Sequence, residues 1–333
     1  MRLWVFSKKI RVPHTCTEPS AVKPIWAAQS VKTSGDRTQA SVVLQACILR
    51  VWQQAEWRDH IKHRLLLLSL ALASLPGMVQ ARSPAGLAEW QFSAGQALMP
   101  HFVEAIPKWQ RVVSGGVVAL PRYEGATAYT VMPALNLELR YKDLAFASTS
   151  EGLGVNLLHS RNYRAGVALG FDLGRDETRN PHLTGLDDLQ PAPVLKFFGE
   201  YVIFPVVLRT AVSHQLGAGG GWDADVGAYM PVIGNKKFFV FLGPSVTFSD
   251  GDEMQRSFGV SSAQSSRSGL AVYHAGGGLR SANLGSSASW FFRENWFLNA
   301  TGGFQHLLGS AQQSPITRSQ QQYTLSLMIG KQW

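Results

Sequence analysis

The sequence predicts an all-β protein, a closed antiparallel transmembrane β-barrel of about twelve strands, with ten strands as the alternative. Three observations predict this fold class. Apolar and polar residues alternate over segments long enough to cross a bilayer, long and short connections follow one another, and the chain ends in an alternating segment that closes on an aromatic residue. The predicted barrel occupies residues 111–333.

The alternation is clear in residues 223–232, where the even positions are apolar and Asp223 and Asp225 occupy odd positions. The same period runs through three further segments, residues 131–142, 279–292 and 296–307. Period two places alternate side chains on opposite faces of a strand. A soluble β-sandwich alternates too, but most of these segments reach the 9–11 residues that a tilted transmembrane strand needs. Aromatic residues flanking the tight turn at 293–295 fit an interfacial girdle.

The lengths of the connections give an independent indication. Read back from the C-terminus, long connections at 309–321, 250–278 and 174–190 are separated by short ones, such as 293–295 and 233–237. Bacterial outer-membrane barrels have long external loops, short periplasmic turns and an even number of strands. Continuing this alternation gives twelve strands, although the two shortest could merge into one. Because merging them gives an odd number, the alternation argues against it.

The last strand indicates how the barrel is assembled. In residues 323–333, apolar side chains occupy alternate positions up to the terminal Trp333. Outer-membrane barrels commonly end in such a strand, which the barrel-insertion machinery reads. We therefore predict that Trp333 is an assembly signal and that the protein lies in the outer membrane of a Gram-negative cell, in contact with membrane lipid and lipopolysaccharide.

Charge and cysteine are concentrated before residue 82. Residues 1–81 hold 11 of the 31 Lys and Arg residues and 4 of the 22 Asp and Glu residues, a net charge of +7. Residues 82–333 carry the remaining 20 bases and 18 acids, a net charge of only +2. Both cysteines, Cys16 and Cys47, also precede residue 82. A basic nucleic-acid interface, a disulfide framework, a zinc–thiolate site and a cysteine nucleophile are therefore excluded from residues 82–333.

The region before the barrel is interpreted as three segments. Residues 60–81 combine a basic start, an apolar Leu/Ala run and a small-x-small site ending at Ala81, which predicts a signal peptide. Residues 1–59 show no sustained period, and we interpret them as a mis-assigned extension, with translation starting nearer Val51. Residues 82–110 would then form an N-terminal periplasmic or plug-like segment.

Charged residues on the polar face of the predicted strands are the candidate site. They are Glu138, Arg140, Asp172, Lys196, Glu200, Arg209, Asp223 and Asp225. Two arrangements are open: the charges line a narrow aqueous path, or they form an internal ion-pair network that closes it. A twelve-strand barrel is wider than the filled eight-strand kind and narrower than a sixteen-strand porin, so strand number does not decide.

Other candidate sites are weak. The glycine run at 217–221 lacks the Lys-Ser/Thr of a phosphate loop. The acidic residues 250–253 could bind Ca²⁺, but without EF-hand spacing a solvated loop is the favoured interpretation. The charges at 175–177 could pin their loop or contact lipopolysaccharide phosphates, with local salt bridges as the favoured interpretation. Because His159 and Ser160 are adjacent, they point to opposite faces and cannot pair for nucleophilic catalysis. We predict no enzyme activity, no cofactor and no metal.

Several short motifs match a known family in their order and spacing. They lie at residues 121–125, 152–158, 173–177, 258–261, 267–270, 308–309 and 314–316, with Tyr273 between the fifth and sixth. Over about residues 112–333 the chain resembles the MipA/OmpV family of outer-membrane proteins. It departs from the family at residues 84–110, which are longer, and at residues 331–333, where the family often ends in phenylalanine.

The resemblance implies a barrel that acts as a scaffold, joining a lytic transglycosylase (MltA) to a bifunctional peptidoglycan synthase. Other members have been treated as porin-like channels for small solutes, or as adhesins that act through their external loops. The family has no agreed catalytic residues, so the resemblance transfers none.

Overall fold

The computed structural model describes residues 107–333 apart from residues 218 and 236. The predicted signal peptide, the extension ahead of it and residues 82–106 lie outside the described residues. The described chain forms twelve antiparallel strands that close into one barrel. The predicted fold class and strand number are therefore confirmed.

Each strand pairs with its neighbours in sequence, and the last strand pairs with the first. The strands are β1 (Trp109–Pro121), β2 (Tyr129–Tyr141), β3 (Ala145–Ser148), β4 (Gly152–His159), β5 (Tyr163–Asp172), β6 (Ala192–Ile203), β7 (Val206–Gln215), β8 (Trp222–Gly234), β9 (Phe238–Ser249), β10 (Gly278–Arg293), β11 (Trp296–Leu307) and β12 (Gln321–Gln332). At the closing seam, the backbones of Arg111 and Trp333 exchange hydrogen bonds of 2.9 and 3.0 Å. The backbone of Trp333 therefore extends the pairing of β1 with β12.

The alternating sequence sorts side chains between lipid and interior. In β12, Leu325 and Leu327 are exposed on the outer surface, whereas Thr324 and Ser326 are buried inside. The Ser326 hydroxyl lies 2.5 Å from the hydroxyl of Thr301 in β11. Apolar side chains face outward in the same way on the other strands, as a lipid-facing surface requires.

Long connections gather at one end of the barrel and carry all the described helices. These helices are α1 (Gly251–Phe258), α2 (Ser262–Ser268) and α3 (Gly309–Gln313), together with two single turns of 3₁₀ helix at Glu177–Arg179 and Pro181–Leu183. Among the described residues, no helix is both long enough and apolar enough to span a membrane. Because external loops are long and periplasmic turns short, we assign this end to the cell exterior.

The strands of the barrel wall are shorter on one side than on the other. Strand β3 has 4 residues and β4 has 8, whereas β10, across the barrel from them, has 16. Pairing of β2 with β3 ends at Glu138 and Ser148, and Thr149 adds backbone and hydroxyl bonds to Leu137 just above it. Farther along this open edge of β2 lies Pro133, which has no N–H to leave unpaired.

Aromatic rings lie over glycines inside the barrel. At Gly243 in β9, a Cβ atom would overlap the Tyr229 ring and come within 2.8 Å of the Ala228 carbonyl oxygen. Three further pairs repeat the arrangement: Phe146 with Gly154, Phe198 with Gly166 and Phe297 with Gly330. Glycine in a strand often marks such a close approach, and the ring covers a backbone that has no side chain of its own.

We predict that Gly243→Ala destabilises the barrel by about 1–3 kcal/mol, because the added methyl group must displace Tyr229 in a packed interior. Gly170→Ala is the matched control, since a Cβ there would meet its nearest neighbours at 3.9 Å. The temperature at which the folded, fast-migrating band is lost in gel electrophoresis measures both. Equal midpoints for the two variants would contradict the packing assigned to Tyr229.

Candidate functional site

The barrel interior contains two clusters of ion-paired side chains. The lower cluster lies in the half nearer the periplasm and joins residues of β2, β5, β6 and β7. The upper cluster lies near the external end and joins β5, β8 and β10 to the external loops. Both clusters contain residues from opposite parts of the wall, so they cross the interior.

The lower cluster joins three arginines to four carboxylates: Arg140, Arg164 and Arg209 to Glu138, Asp143, Glu151 and Glu200. Two of the carboxylates bridge pairs of arginines. Glu151 binds Arg140 and, at 3.3 Å, Arg209. Glu200 lies 3.3 Å from Arg164 and 3.5 Å from Arg209. The arginine and carboxylate side chains form one continuous network, all of them at most about a tenth exposed.

The short β3 positions the central carboxylate of this cluster. Since β3 ends at Ser148, the turn after it lies far below the external rim, opposite Glu138. That turn carries Glu151 into the interior at the depth of Arg140. The Arg140 guanidinium also lies 5.0 Å from the centre of the Phe146 ring. A longer β3 would place this turn near the surface and leave Arg140 with fewer partners.

The upper cluster is centred on Arg280 of β10, whose side chain is 1% exposed. Its guanidinium binds Glu124 with two hydrogen bonds and lies 3.2 Å from Asp223 and 3.5 Å from Glu253. Arg256 of α1 continues the cluster, at 3.0 Å from Glu253 and 3.3 Å from Asp172. Two wall strands, one external loop and one loop helix therefore meet at a single guanidinium.

The structure places all eight sequence-predicted charges toward the interior, but in different surroundings. Four of them, Glu138, Arg140, Glu200 and Arg209, belong to the lower cluster, and Asp172 and Asp223 belong to the upper one. Lys196 and Asp225 lie at intermediate height on β6 and β8. Asp225 accepts a hydrogen bond of 2.6 Å from the Thr247 hydroxyl.

Other charged residues of the clusters escape prediction from the sequence. Arg280 shares its parity with the lipid-facing Leu284, and only a β-bulge between Leu279 and Ser281 turns it inward. Glu124, Glu151 and Glu253 lie in connections or in α1, where period two gives no information. Arg164 could have been found, because it shares the parity of Asp172 on β5.

One of the two predictions about loop charges needs correction. The acidic residues 250–253 are not simply a solvated loop face, because Glu253 is 1% exposed and ion-paired. The Asp250 carboxylate accepts from the backbone N–H of Glu253 and caps α1. The interpretation that residues 175–177 pin their loop agrees with the structure, because Glu177 accepts hydrogen bonds from the backbone N–H groups of Gly185 and Asp187 in that loop.

The external loops pack together over the upper cluster. We call the loops at residues 122–128, 173–191, 250–277 and 308–320 the external cap. Buried apolar side chains from all four loops form its core: Tyr123, Ala126, Leu183, Leu186, Val260 and Ile316. The Tyr123 hydroxyl donates to the Ile316 carbonyl at 3.2 Å, and burial raises the pKa of Tyr123 to about 12. The phenol therefore remains a hydrogen-bond donor at physiological pH.

The periplasmic end of the interior is aromatic. Val207, Tyr229 and Phe241 form a buried cluster, and Phe239 packs against it. The Phe291 ring lies 6.1 Å from Phe239 and 5.8 Å from Phe297, which continues the aromatic layer toward β11. Together with the two ion-pair clusters and the external cap, this layer fills the described interior at several depths.

The arrangement of these charges indicates a structural role for both clusters. The charges of both clusters are paired within the barrel, and buried pairs of this kind hold side chains in fixed positions. Within residues 107–333, apart from the two undescribed positions, no group of His, Cys, Asp and Glu side chains has the arrangement of a metal site.

We predict that Arg280→Met strongly destabilises the barrel, by about 3–5 kcal/mol, because Glu124, Asp223 and Glu253 would remain buried after losing the guanidinium that they share. Arg267→Met is the control. It removes an ion pair with Asp187 whose side chains are 51% and 60% exposed, and such pairs contribute at most about 1 kcal/mol. Thermal unfolding followed by gel mobility measures both, and a comparable loss in the control would contradict the role of Arg280.

Comparison with known proteins gives one family match and several distant structures. Residues 113–333 match the profile of the family described as MltA-interacting protein MipA. A search of curated proteins gives no match. Solved structures with similarity include the N-terminal β-barrel domain of Pseudomonas aeruginosa OprF, at 13% identity and a TM-score of 0.22, covering 52% of this chain and 98% of that one.

Two further barrels show similarity of the same order. OmpT of Vibrio cholerae has 6% identity and a TM-score of 0.32, and the anion-selective porin of Comamonas acidovorans has 8% and 0.31. Each match covers 68% of this chain and 98% of the other. The family match spans well over half of the chain and the whole barrel beyond Val112. The protein is therefore an outer-membrane β-barrel that belongs to the MipA family.

Proposed function

We propose that the protein is a non-enzymatic scaffold of the outer membrane, which binds peptidoglycan-remodelling enzymes at its periplasmic face. The partners proposed are a lytic transglycosylase of the MltA type and a bifunctional peptidoglycan synthase. The family description, MltA-interacting protein, supports the first partner class. The second partner, the peptidoglycan synthase, is proposed from the resemblance of the sequence to the family.

The buried and mutually paired side chains of the interior are the observation that carries this proposal. A channel needs a continuous aqueous path, whereas here paired charges, an aromatic layer and the external cap occupy successive depths of the barrel. The cap also crosses the external mouth with hydrogen bonds between loops, such as the Ser314 hydroxyl to the Phe258 carbonyl at 2.6 Å. A barrel closed in this way acts through its surfaces.

The periplasmic rim offers such a surface, and it is basic. Its exposed charged side chains are Lys108, Arg111, Lys142, Arg161, Lys237, Arg293 and Glu294. The turns are short, so the bases lie close to the membrane plane. Complementary charge steers encounter and fixes orientation more than it adds affinity, and this suits the assembly of an enzyme on a fixed platform.

Charge reversal at two of these turns tests the scaffold. We expect the purified mature barrel to bind the transglycosylase in surface plasmon resonance. Lys142→Glu with Arg161→Glu should slow association roughly tenfold at low salt, because the steering charge is reversed. The control is Arg122→Glu with Arg318→Glu, which makes the same change on exposed residues of the external cap. Absence of binding by the unmodified barrel overturns the proposal, and equal effects of both variants overturn the periplasmic docking face.

Conductance separates the scaffold from a channel. We expect the unmodified barrel to be silent in planar bilayers. Arg140→Glu with Arg209→Glu should then lower the unfolding midpoint without opening a path, because the reversed charges would face Glu138, Glu151 and Glu200 in a confined space. Ion-selective conductance of the unmodified protein, shifted toward cations in this variant, would instead establish a channel with the lower cluster along its path.

A further inference from the structure

The lipid-facing wall has an apolar depression across β9, β10 and β11. Its volume is about 410 Å³, and it is lined by Phe238, Ala288, Trp290, Leu298 and Ala300. Ala288 and Ala300 are directly opposite each other in the pairing of β10 with β11 and form the floor. Trp290 is paired with Phe238 on one side and with Leu298 on the other, and these three larger side chains form a wall at the periplasmic end.

The depth of this depression corresponds to the inner leaflet. Ala288 precedes Arg293, the last residue of β10, by five positions, which is about 16 Å along a strand and roughly 12 Å of depth at a tilt of about 40°. The hydrophobic band of such barrels is about 25 Å tall. The depression therefore lies in the half of the bilayer nearest the periplasm, where acyl chains of the inner leaflet end.

Basic residues lie at the periplasmic ends of the strands that line the depression. Lys237 immediately precedes Phe238, and the Lys237 carbonyl accepts a hydrogen bond of 2.7 Å from the backbone N–H of Phe291. Arg293 ends β10, and both Lys237 and Arg293 are exposed. Lys331 lies opposite Trp296 in the strand pairing, with its ammonium group 5.8 Å from that ring. Among the described side chains of this sector, Glu294 is the acidic one, so basic side chains outnumber acidic ones.

We propose that this surface is a specific site for an anionic phospholipid of the inner leaflet. One acyl chain occupies the depression over Ala288 and Ala300, and the phosphodiester lies between Lys237 and Arg293. Phosphatidylglycerol has the required chemistry, a single negative charge at the headgroup above two apolar chains. This inference does not depend on the scaffold proposal.

Shape and charge act together in this site. Small residues flanked by Trp290 and Phe238 give the surface a concavity of the size found in ligand pockets, and a chain lying in it buries more CH₂ groups than a chain on a flat wall. Basic pockets at a membrane interface select anionic headgroups, and each base near the surface adds to the attraction. Lipopolysaccharide does not meet these requirements, because its acyl chains lie in the outer leaflet and the depression lies in the inner one.

Native mass spectrometry of the detergent-purified barrel tests the proposal. Delipidated protein is titrated with phosphatidylglycerol or with phosphatidylethanolamine of the same acyl chains. We expect the unmodified barrel to prefer phosphatidylglycerol. Lys237→Gln with Arg293→Gln should lower the affinity for that lipid by about fivefold for each base removed and leave phosphatidylethanolamine binding unchanged. Ala288→Leu with Ala300→Leu fills the depression and should weaken binding of both lipids.

The matched control is Lys142→Gln with Arg161→Gln, which removes two exposed bases from other periplasmic turns. It should leave the preference for phosphatidylglycerol intact. Gel mobility before and after heating shows that each variant retains the folded barrel. If the control lowers the affinity as much as the Lys237 and Arg293 variant does, the attraction belongs to the whole rim and the proposed site is wrong. Equal binding of the two lipids by the unmodified barrel also overturns it.

Discussion

Three carboxylates from separate parts of the chain converge on one buried guanidinium, that of Arg280. Glu124 comes from the first external loop, Asp223 from β8 and Glu253 from α1, so the contact joins the wall to the cap in two places. Moving these four charged side chains from water into the barrel interior has a large cost in desolvation free energy. Their mutual attraction compensates for that cost only when the geometry is good. The external cap can therefore occupy its position only while Arg280 points inward, which in turn depends on the β-bulge beside it.

The two charged clusters differ in which parts of the chain supply their residues. Apart from its turn residues, the lower cluster is built from strand residues on the inward face, so it forms as the wall forms. The upper cluster joins segments that are far apart in sequence, such as the loop that carries Glu124 and the strand that carries Arg280, 156 positions away. We infer that the wall provides a closed interior before the cap is ordered over it, since contacts between distant segments bear the larger loop-closure cost.

Most of the fold is visible in the sequence because a transmembrane strand must alternate. The twelve strands, the inward position of residues such as Glu138 and Arg209, and the order of long and short connections all follow from that constraint. The site is less visible. Arg280 requires a bulge that reverses parity, and Glu151 requires a turn that lies deep because β3 has only 4 residues. The inner aromatic layer includes Phe239 and Phe291, each next to a second Phe, where alternation is lost.

The short side of the wall has a consequence for the surrounding membrane. Lipid beside β10 meets a strand of 16 residues, whereas lipid beside β4 meets one of 8. A bilayer adapts to such hydrophobic mismatch by thinning next to the short side, or the protein adapts by tilting, and each response has a modest energetic cost per ångström. With either response, the two flanks of the barrel present unequal hydrophobic thickness to any neighbour. When a second copy or another barrel approaches, that mismatch would favour some relative orientations over others before any side chains came into contact.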